Sequence, residues 1–233
     1  MKNLILAVSD LHFRKPFYMW LADQARIGKY GAVVIAGDLL DMLPTASTGL
    51  QRQAAWVLDW IAAFPTDRTR LYVVTGNHDC EVGTGTLADG NWLQRARRPG
   101  VHVDNDVVRH RGLTFACKAW NGPLDLNNTV GPVVLVAHAP PEGTLVASEQ
   151  GWEAGDFEVR QIAESLPCPA DSIILSGHAH QPDAHVDYVG RGVACFNSGC
   201  NLSAPVPRHF LIDTGARWAW LFDGGSLVSA LHY

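Results

Sequence analysis

Five short clusters in this chain hold side chains that bind divalent cations well. They are Asp10 and His12 in "DLH", Asp38 and Asp41 in "GDLLD", Asn77, His78 and Asp79 in "GNHD", His138 in "AHAP", and His178 and His180 in "GHAH". Carboxylates, imidazoles and one amide, with no thiolate among them, suit a hard-to-borderline ion such as manganese, iron or zinc. They are too many for one tetrahedral ion and suit two ions bridged by a shared carboxylate. Each cluster is a weak signal taken singly. Five in series, each placed after an apolar run, form a strong one.

The runs explain how distant residues could meet. Segments 4–10, 32–38 and 71–77 are continuously apolar until a small residue and a polar one end them. Continuous rather than alternating hydrophobicity predicts strands covered on both faces. Between the second and third, Leu50, Ala54, Val57, Leu58, Ile61 and Phe64 recur at helical spacing until Pro65. Segment 17–29 is a helix between the first two strands. The pattern is βαβαβ, which calls for parallel strands and right-handed crossovers. Segments 133–138 and 172–178 repeat the apolar plan, with a helix near 156–166 between them. In an open α/β sheet the carboxyl ends of parallel strands gather at one edge, where ligands bind.

Short strands are expected at 101–103, 107–110 and 113–118. Segments 184–189, 192–196, 208–213, 216–222 and 226–231, separated by glycine turns, read as an antiparallel meander completing a second sheet. No repeat, low-complexity tract or linker divides the chain, so residues 1–233 are expected to form a single domain.

In order and content, the series DxH, GDxxD, GNHD, H, GHxH resembles the calcineurin-like metallophosphoesterase superfamily, over residues 10 to 180. The resemblance implies an α/β fold, a four-layer αββα sandwich of two mixed sheets flanked by helices, with a dinuclear metal site at the carboxyl ends of the strands. It implies one ion on Asp10, His12, Asp38 and His180, and a second on Asp38, Asn77, His138 and His178, with Asp38 bridging. His78 then faces the substrate and protonates the leaving oxygen, Asp79 orients His78, and Asp41 stands behind the ligands. Ala137 occupies a position where many relatives carry glycine. The implied cofactors are two divalent ions, manganese first, with iron or zinc as alternatives. A hydroxide bridging the ions would attack the phosphorus in line, so no serine or cysteine nucleophile is needed.

The substrate is less legible. A phosphodiesterase or phosphatase acting on a small or exposed phosphoester is expected, with a nuclease acting on DNA or RNA as the alternative. A formal net charge of −5 over 233 residues gives no electrostatic footprint for nucleic acid. The small basic clusters Arg95, Arg97, Arg98 and Arg109, His110, Arg111 read as solvated residues. Arg14, just after "DLHF", could reach a substrate phosphate. Trp92, Trp120 and Trp152 are candidates for a substrate wall, and segment 83–90 for a rim. Trp56, Trp60, Trp218 and Trp220 read as packing residues.

His102, His110, His185, His209 and His232 lie outside the clusters and read as surface or loop positions. The five cysteines (Cys80, Cys117, Cys168, Cys195, Cys200) form no CxxC pair, so they read as indifferent thiols in a reducing compartment. No apolar run approaches the roughly 18 residues of a membrane span, and residues 1–8 are too short for a signal segment. A cytoplasmic protein without membrane partners is expected.

Overall fold

The computed structural model of the chain describes residues 4–42, 48–80 and 91–233. Its N-terminal third is β1 (Leu4–Val8), α1 (Lys15–Ile27), β2 (Ala32–Ala36), α2 (Leu50–Ala63) and β3 (Arg70–Val74). The three strands pair in parallel, as the βαβαβ pattern requires. Pro16 opens α1, where a missing N–H costs little, and Gly28 ends it at φ 68° with its N–H donating to the Ala25 carbonyl. α2 stops at Phe64, whose extended backbone suits the following Pro65. Both helices pack on one face of the sheet, where Leu21, Val57 and Ile61 meet Val33, Ile35 and Val73. Each fully buried aliphatic side chain there contributes about 1.5–3 kcal/mol.

β4 (Val101–His102) extends this sheet beside β3. The second sheet starts with β5 (Val107–His110), β6 (Leu113–Cys117) and β7 (Val133–Val136). A small hairpin, β8 (Ser148–Glu149) and β9 (Trp152–Glu153), leads to α3 (Phe157–Ser165). Asp156 caps α3 by accepting the Val159 N–H at 2.9 Å. β10 (Ile173–Ser176) then pairs in parallel with β7.

The last five strands are β11 (Val186–Val189), β12 (Val193–Asn197), β13 (His209–Asp213), β14 (Trp218–Asp223) and β15 (Ser226–His232). They do not complete one sheet, which corrects the expected meander. β12 joins β10 in parallel and β11 is its antiparallel edge, whereas β13 pairs antiparallel with β1 and carries β14 and β15. The break falls in residues 198–208, where Pro205 and Pro207 lack the N–H a continuing ladder would need.

Among the described residues the sheets run β15-β14-β13-β1-β2-β3-β4 and β11-β12-β10-β7-β6-β5. They face each other across Val34, Tyr72, Val74, Val134, Leu175, Phe196 and Phe210. α3 covers the far side of the second sheet, packing Val159 and Ala163 with Leu135 and Ile174. The layers are therefore αββα, and the central strands are covered on both faces. No helix among the described residues is long and apolar enough to cross a membrane.

Candidate metal centre

β1, β2, β3, β7 and β10 each deliver motif residues just past their carboxyl ends, and parallel pairing brings these to one edge. Ligand atoms of Asp10, His12, Asp38 and His180 all lie within 4.8 Å of one another. His12 Nε2 is 3.2 Å from His180 Nε2, and His180 Nε2 is 3.4 Å from Asp10 Oδ1. Asp38 links the two sheets: its Oδ1 lies 3.2 Å from His138 Nε2, and its Oδ2 lies 3.9 Å from His12 Nε2 and 3.8 Å from His78 Nε2. Asn77 Oδ1 is 3.1 Å from His138 Nε2, and the His178 ring stands edge-on to His138 at 5.1 Å between centroids.

The local backbone is bent to achieve this. Asp10, His12, Asp38 and His178 all have positive φ, between 41° and 67°. That conformation costs a non-glycine residue on the order of 1 kcal/mol or more, and such strain gathers at functional sites. The glycines before two motifs have an equally direct cause. A Cβ on Gly76 would collide with the Asp38 carboxylate, and one on Gly177 with the Asp10 carboxylate. Ala137, in contrast, fits: it is buried and its N–H donates to the Leu175 carbonyl.

The donor set fits divalent cations. His138 Nδ1 lies 2.8 Å from the Ala36 carbonyl and donates a proton to it, which turns Nε2 toward Asp38 and Asn77. Asp10 Oδ2 is buried without a hydrogen-bond partner. Burial opposes charge on Asp38, but His138, His78 and His12 hold its pKa below the usual carboxylate range. Burial likewise opposes charge on His138, and Asp38 overcomes it, raising the imidazole to about 9. Burial, with the cationic His138, lowers His178 to about 4. Two buried carboxylates amid imidazoles are a focus of negative charge that a cation would neutralise.

The GNHD residues divide their work unexpectedly. The Asp79 carboxylate accepts the N–H groups of Leu39 (3.1 Å), Leu40 (2.9 Å) and Gly76 (2.8 Å). It thus ties the loop after β3 to the loop after β2. Burial first, then the Asp38 charge, pushes its pKa up to about 7 against those donors. The expected pairing of Asp79 with His78 is absent among the described contacts, because both carboxylate oxygens are turned to backbone; His78 Nδ1 is buried and unpartnered. The His78 N–H instead donates to Asp38 Oδ1 at 3.0 Å, and its ring stands edge-on to His12.

Asp41 can come within ligand reach of His12 and His78. With Arg14, Lys15 and His12 it lines a cleft of about 340 Å³ beside the centre. The Arg14 guanidinium lies 5.8 Å from the Phe17 ring. Trp120 packs on His138 and His178, and Trp152, exposed on β9, lies 6.4 Å from His178. Trp92 is corrected to a core residue: it is buried, and its indole N–H donates to the Asp79 carbonyl. Segment 83–90 lies outside the described residues.

Arg98 donates to the carbonyls of Ile61 and Phe64 at the end of α2, and Arg97 pairs with Asp106 at 2.7 Å. The cluster expected to be solvated is therefore partly absorbed into the fold. None of the five remaining histidines joins a ligand group among the described residues. His209, however, is not at the surface: it is buried on β13, stacked on Phe222.

Three positioning residues carried no sequence signal strong enough to find. Gln53, buried on α2, accepts the Asp41 N–H and donates to the Asp41 and Thr48 carbonyls. Asn197 donates to the Gly177 carbonyl at 2.8 Å, and Glu149 accepts the His180 N–H at 2.9 Å. A thiol was missed as well: Cys200 shares a candidate ligand group with His12 and His180.

A family model described as calcineurin-like phosphoesterase matches residues 4–182. No curated protein is matched by the sequence. Among solved structures, the fold is similar to TT1561 of Thermus thermophilus (TM-score 0.61, 15% identity, covering 96% of this chain and 100% of that one). It is also similar to a dimetal phosphatase from Danio rerio (TM-score 0.61, 11% identity, 99% and 98% covered). A third likeness is to an archaeal phosphodiesterase (TM-score 0.52, 15% identity, 97% and 99% covered). At these identities the likeness speaks for the fold.

Proposed function

Because the chain belongs to the calcineurin-like phosphoesterase family, we propose that it is a dinuclear phosphodiesterase or phosphatase acting on a small or exposed phosphoester. The observation that carries this reading is Asp38, whose two oxygens face His138 on one side and His12 and His78 on the other. In it, Asp10, His12, Asp38 and His180 hold one divalent ion, and Asp38, Asn77, His138 and His178 the other. When bound, manganese, iron or zinc supplies an acidified water and stabilises charge on the phosphoryl oxygens.

The chain's own residues do the rest. His78, half-buried at the centre with its ring against His12, is the general acid for the leaving oxygen. Asp79 acts as a positioning residue by clamping two loops. Trp120 and Trp152 form a wall over His178, and Arg14 receives a distal anionic group in the cleft beside Asp41. Internal use of Arg97 and Arg98 and the net charge of −5 weigh against a nuclease.

The test is a panel of phosphomonoesters, phosphodiesters and labelled oligonucleotides assayed with manganese. Turnover of short phosphoesters, lost in Asp38→Asn and His178→Ala with the fold retained, is expected. Catalytic cleavage of oligonucleotides in preference to small esters would favour the nuclease. Full activity in metal-stripped protein would overturn the reading.

A further inference from the structure

The amino ends of the strands, opposite the metal centre, carry a second cleft. The loops before β2, β3 and β4 and the turn between β5 and β6 border about 700 Å³ there. Its walls include Lys29, Arg68, Arg70, His110 and Arg111, against one carboxylate, Asp67. β3 starts at Arg70 and Asn77 follows its far end, so the cleft and the metal centre are on the order of 20 Å apart. The positive charge is local, because the whole chain has a formal net charge of −5.

Each cationic side chain reaches the cleft from a different part of the fold. Arg68 lies across Gly28 at the end of α1, and Arg70 is half-buried at the head of β3. Arg111 opens the two-residue turn between β5 and β6 at φ 53°, followed by Gly112 at φ 85°. That turn favours asparagine, aspartate or glycine, so an arginine sits there against local preference. His110 Nε2, in the cleft wall, is buried without a hydrogen-bond partner. Burial, with the Arg70 and Arg111 charges, lowers this imidazole to about 4. Two guanidinium groups from different sheets therefore bear on one imidazole.

We propose that this cleft binds a small phosphorylated molecule through its phosphoryl oxygens, at a site separate from the metal centre and independent of the reading above. Guanidinium groups meet phosphoryl oxygens with paired N–H donors. Three arginines and a lysine favour a group with two or more negative charges over a single carboxylate. The volume is that of a small-molecule site.

The probe is inorganic pyrophosphate, titrated by calorimetry into the full chain with EDTA present, so that no metal ion answers for it. Saturable binding at one site per chain is expected. It should weaken at least about tenfold when Lys29→Gln and Arg68→Gln are combined, two exposed side chains whose loss leaves the core intact. Arg52→Gln removes an exposed charge near the start of α2, at the opposite end of the sheet, and should leave affinity unchanged. The His110 ring signals, assigned by their loss in His110→Gln, should shift in nuclear magnetic resonance spectra as pyrophosphate is added. Absence of saturable binding, or a loss no greater in the double variant than in Arg52→Gln, overturns the inference and leaves the phosphoesterase reading standing. A labelled oligonucleotide that shifts the His110 signals where pyrophosphate does not would overturn it in favour of a nucleic-acid backbone.

Discussion

His12 and His180 are 168 residues apart in the chain, yet their Nε2 atoms lie 3.2 Å from each other. Two imidazole lone pairs at that distance need a proton or a cation between them. Loading with manganese or zinc at about 100 times the dissociation constant should stabilise the fold by about 2.7 kcal/mol. For a chain of this size that is a rise of about 5–10 °C in melting temperature. Chelator should reverse it, and His180→Ala should remove most of it. A melting curve indifferent to added metal would count against the centre.

Asp79 binds loops rather than the neighbouring imidazole. Asp79→Asn should therefore cost about 2–3 kcal/mol in urea denaturation, because an amide turned toward three buried N–H groups leaves at least one unsatisfied. Turnover should fall with it. Unchanged stability with only a displaced pH profile would instead mean that Asp79 acts on His78.

Gly76→Ala places a methyl group against the Asp38 carboxylate. The expected result is at least about a tenfold loss of metal affinity, measured by calorimetric titration, with far-ultraviolet circular dichroism retained. Wild-type affinity in this variant would show that Asp38 can move aside.

Asp104 offers a test by pH. It is buried, and although it accepts the Thr75 N–H and hydroxyl, burial raises it from the ordinary 3.8 to about 6. Between those values the native state holds a proton that the unfolded chain has lost, so this group's contribution to stability falls as pH rises, then levels off above about 6. Asp104→Asn cannot titrate. The stability of the variant relative to wild type should therefore rise between pH 4 and 7, by at most about 3 kcal/mol. Parallel pH–stability curves would refute the shift.

Trp152 is exposed on β9 and borders His178. Trp152→Ala should raise KM by about two- to tenfold on the preferred phosphoester, with kcat held, as expected for loss of a packing wall. A drop in kcat alone would move Trp152 out of that role.

The candidate metal-binding residues were legible as a group because each cluster follows a continuous apolar run, and parallel strands leave one place for such residues to meet. The helix expected near 156–166 is found as α3. The crossing of β13 to the first sheet was not legible, since glycine turns announce a hairpin without naming the sheet it joins. Trp92 and His209 were misplaced because a lone aromatic carries no periodicity from which to read burial. Asp79 beside His78 reads as a pair until the backbone shows its carboxylate turned the other way. Cys200 was passed over because thiols were judged by spacing to other thiols, whereas its neighbours are imidazoles brought in by other strands.

The pairing of β1 with β13, Leu4 opposite Asp213, has a consequence for biosynthesis. At roughly 5–20 residues per second, the ribosome needs about 10–40 s to make the stretch separating these partners. Throughout that interval the first strand has one unfilled flank, open to chaperones or to another nascent chain. Stalling or truncation before residue 209 would leave that flank bare, so soluble yield should depend on the final strands even though every motif residue from Asp10 to His180 precedes them.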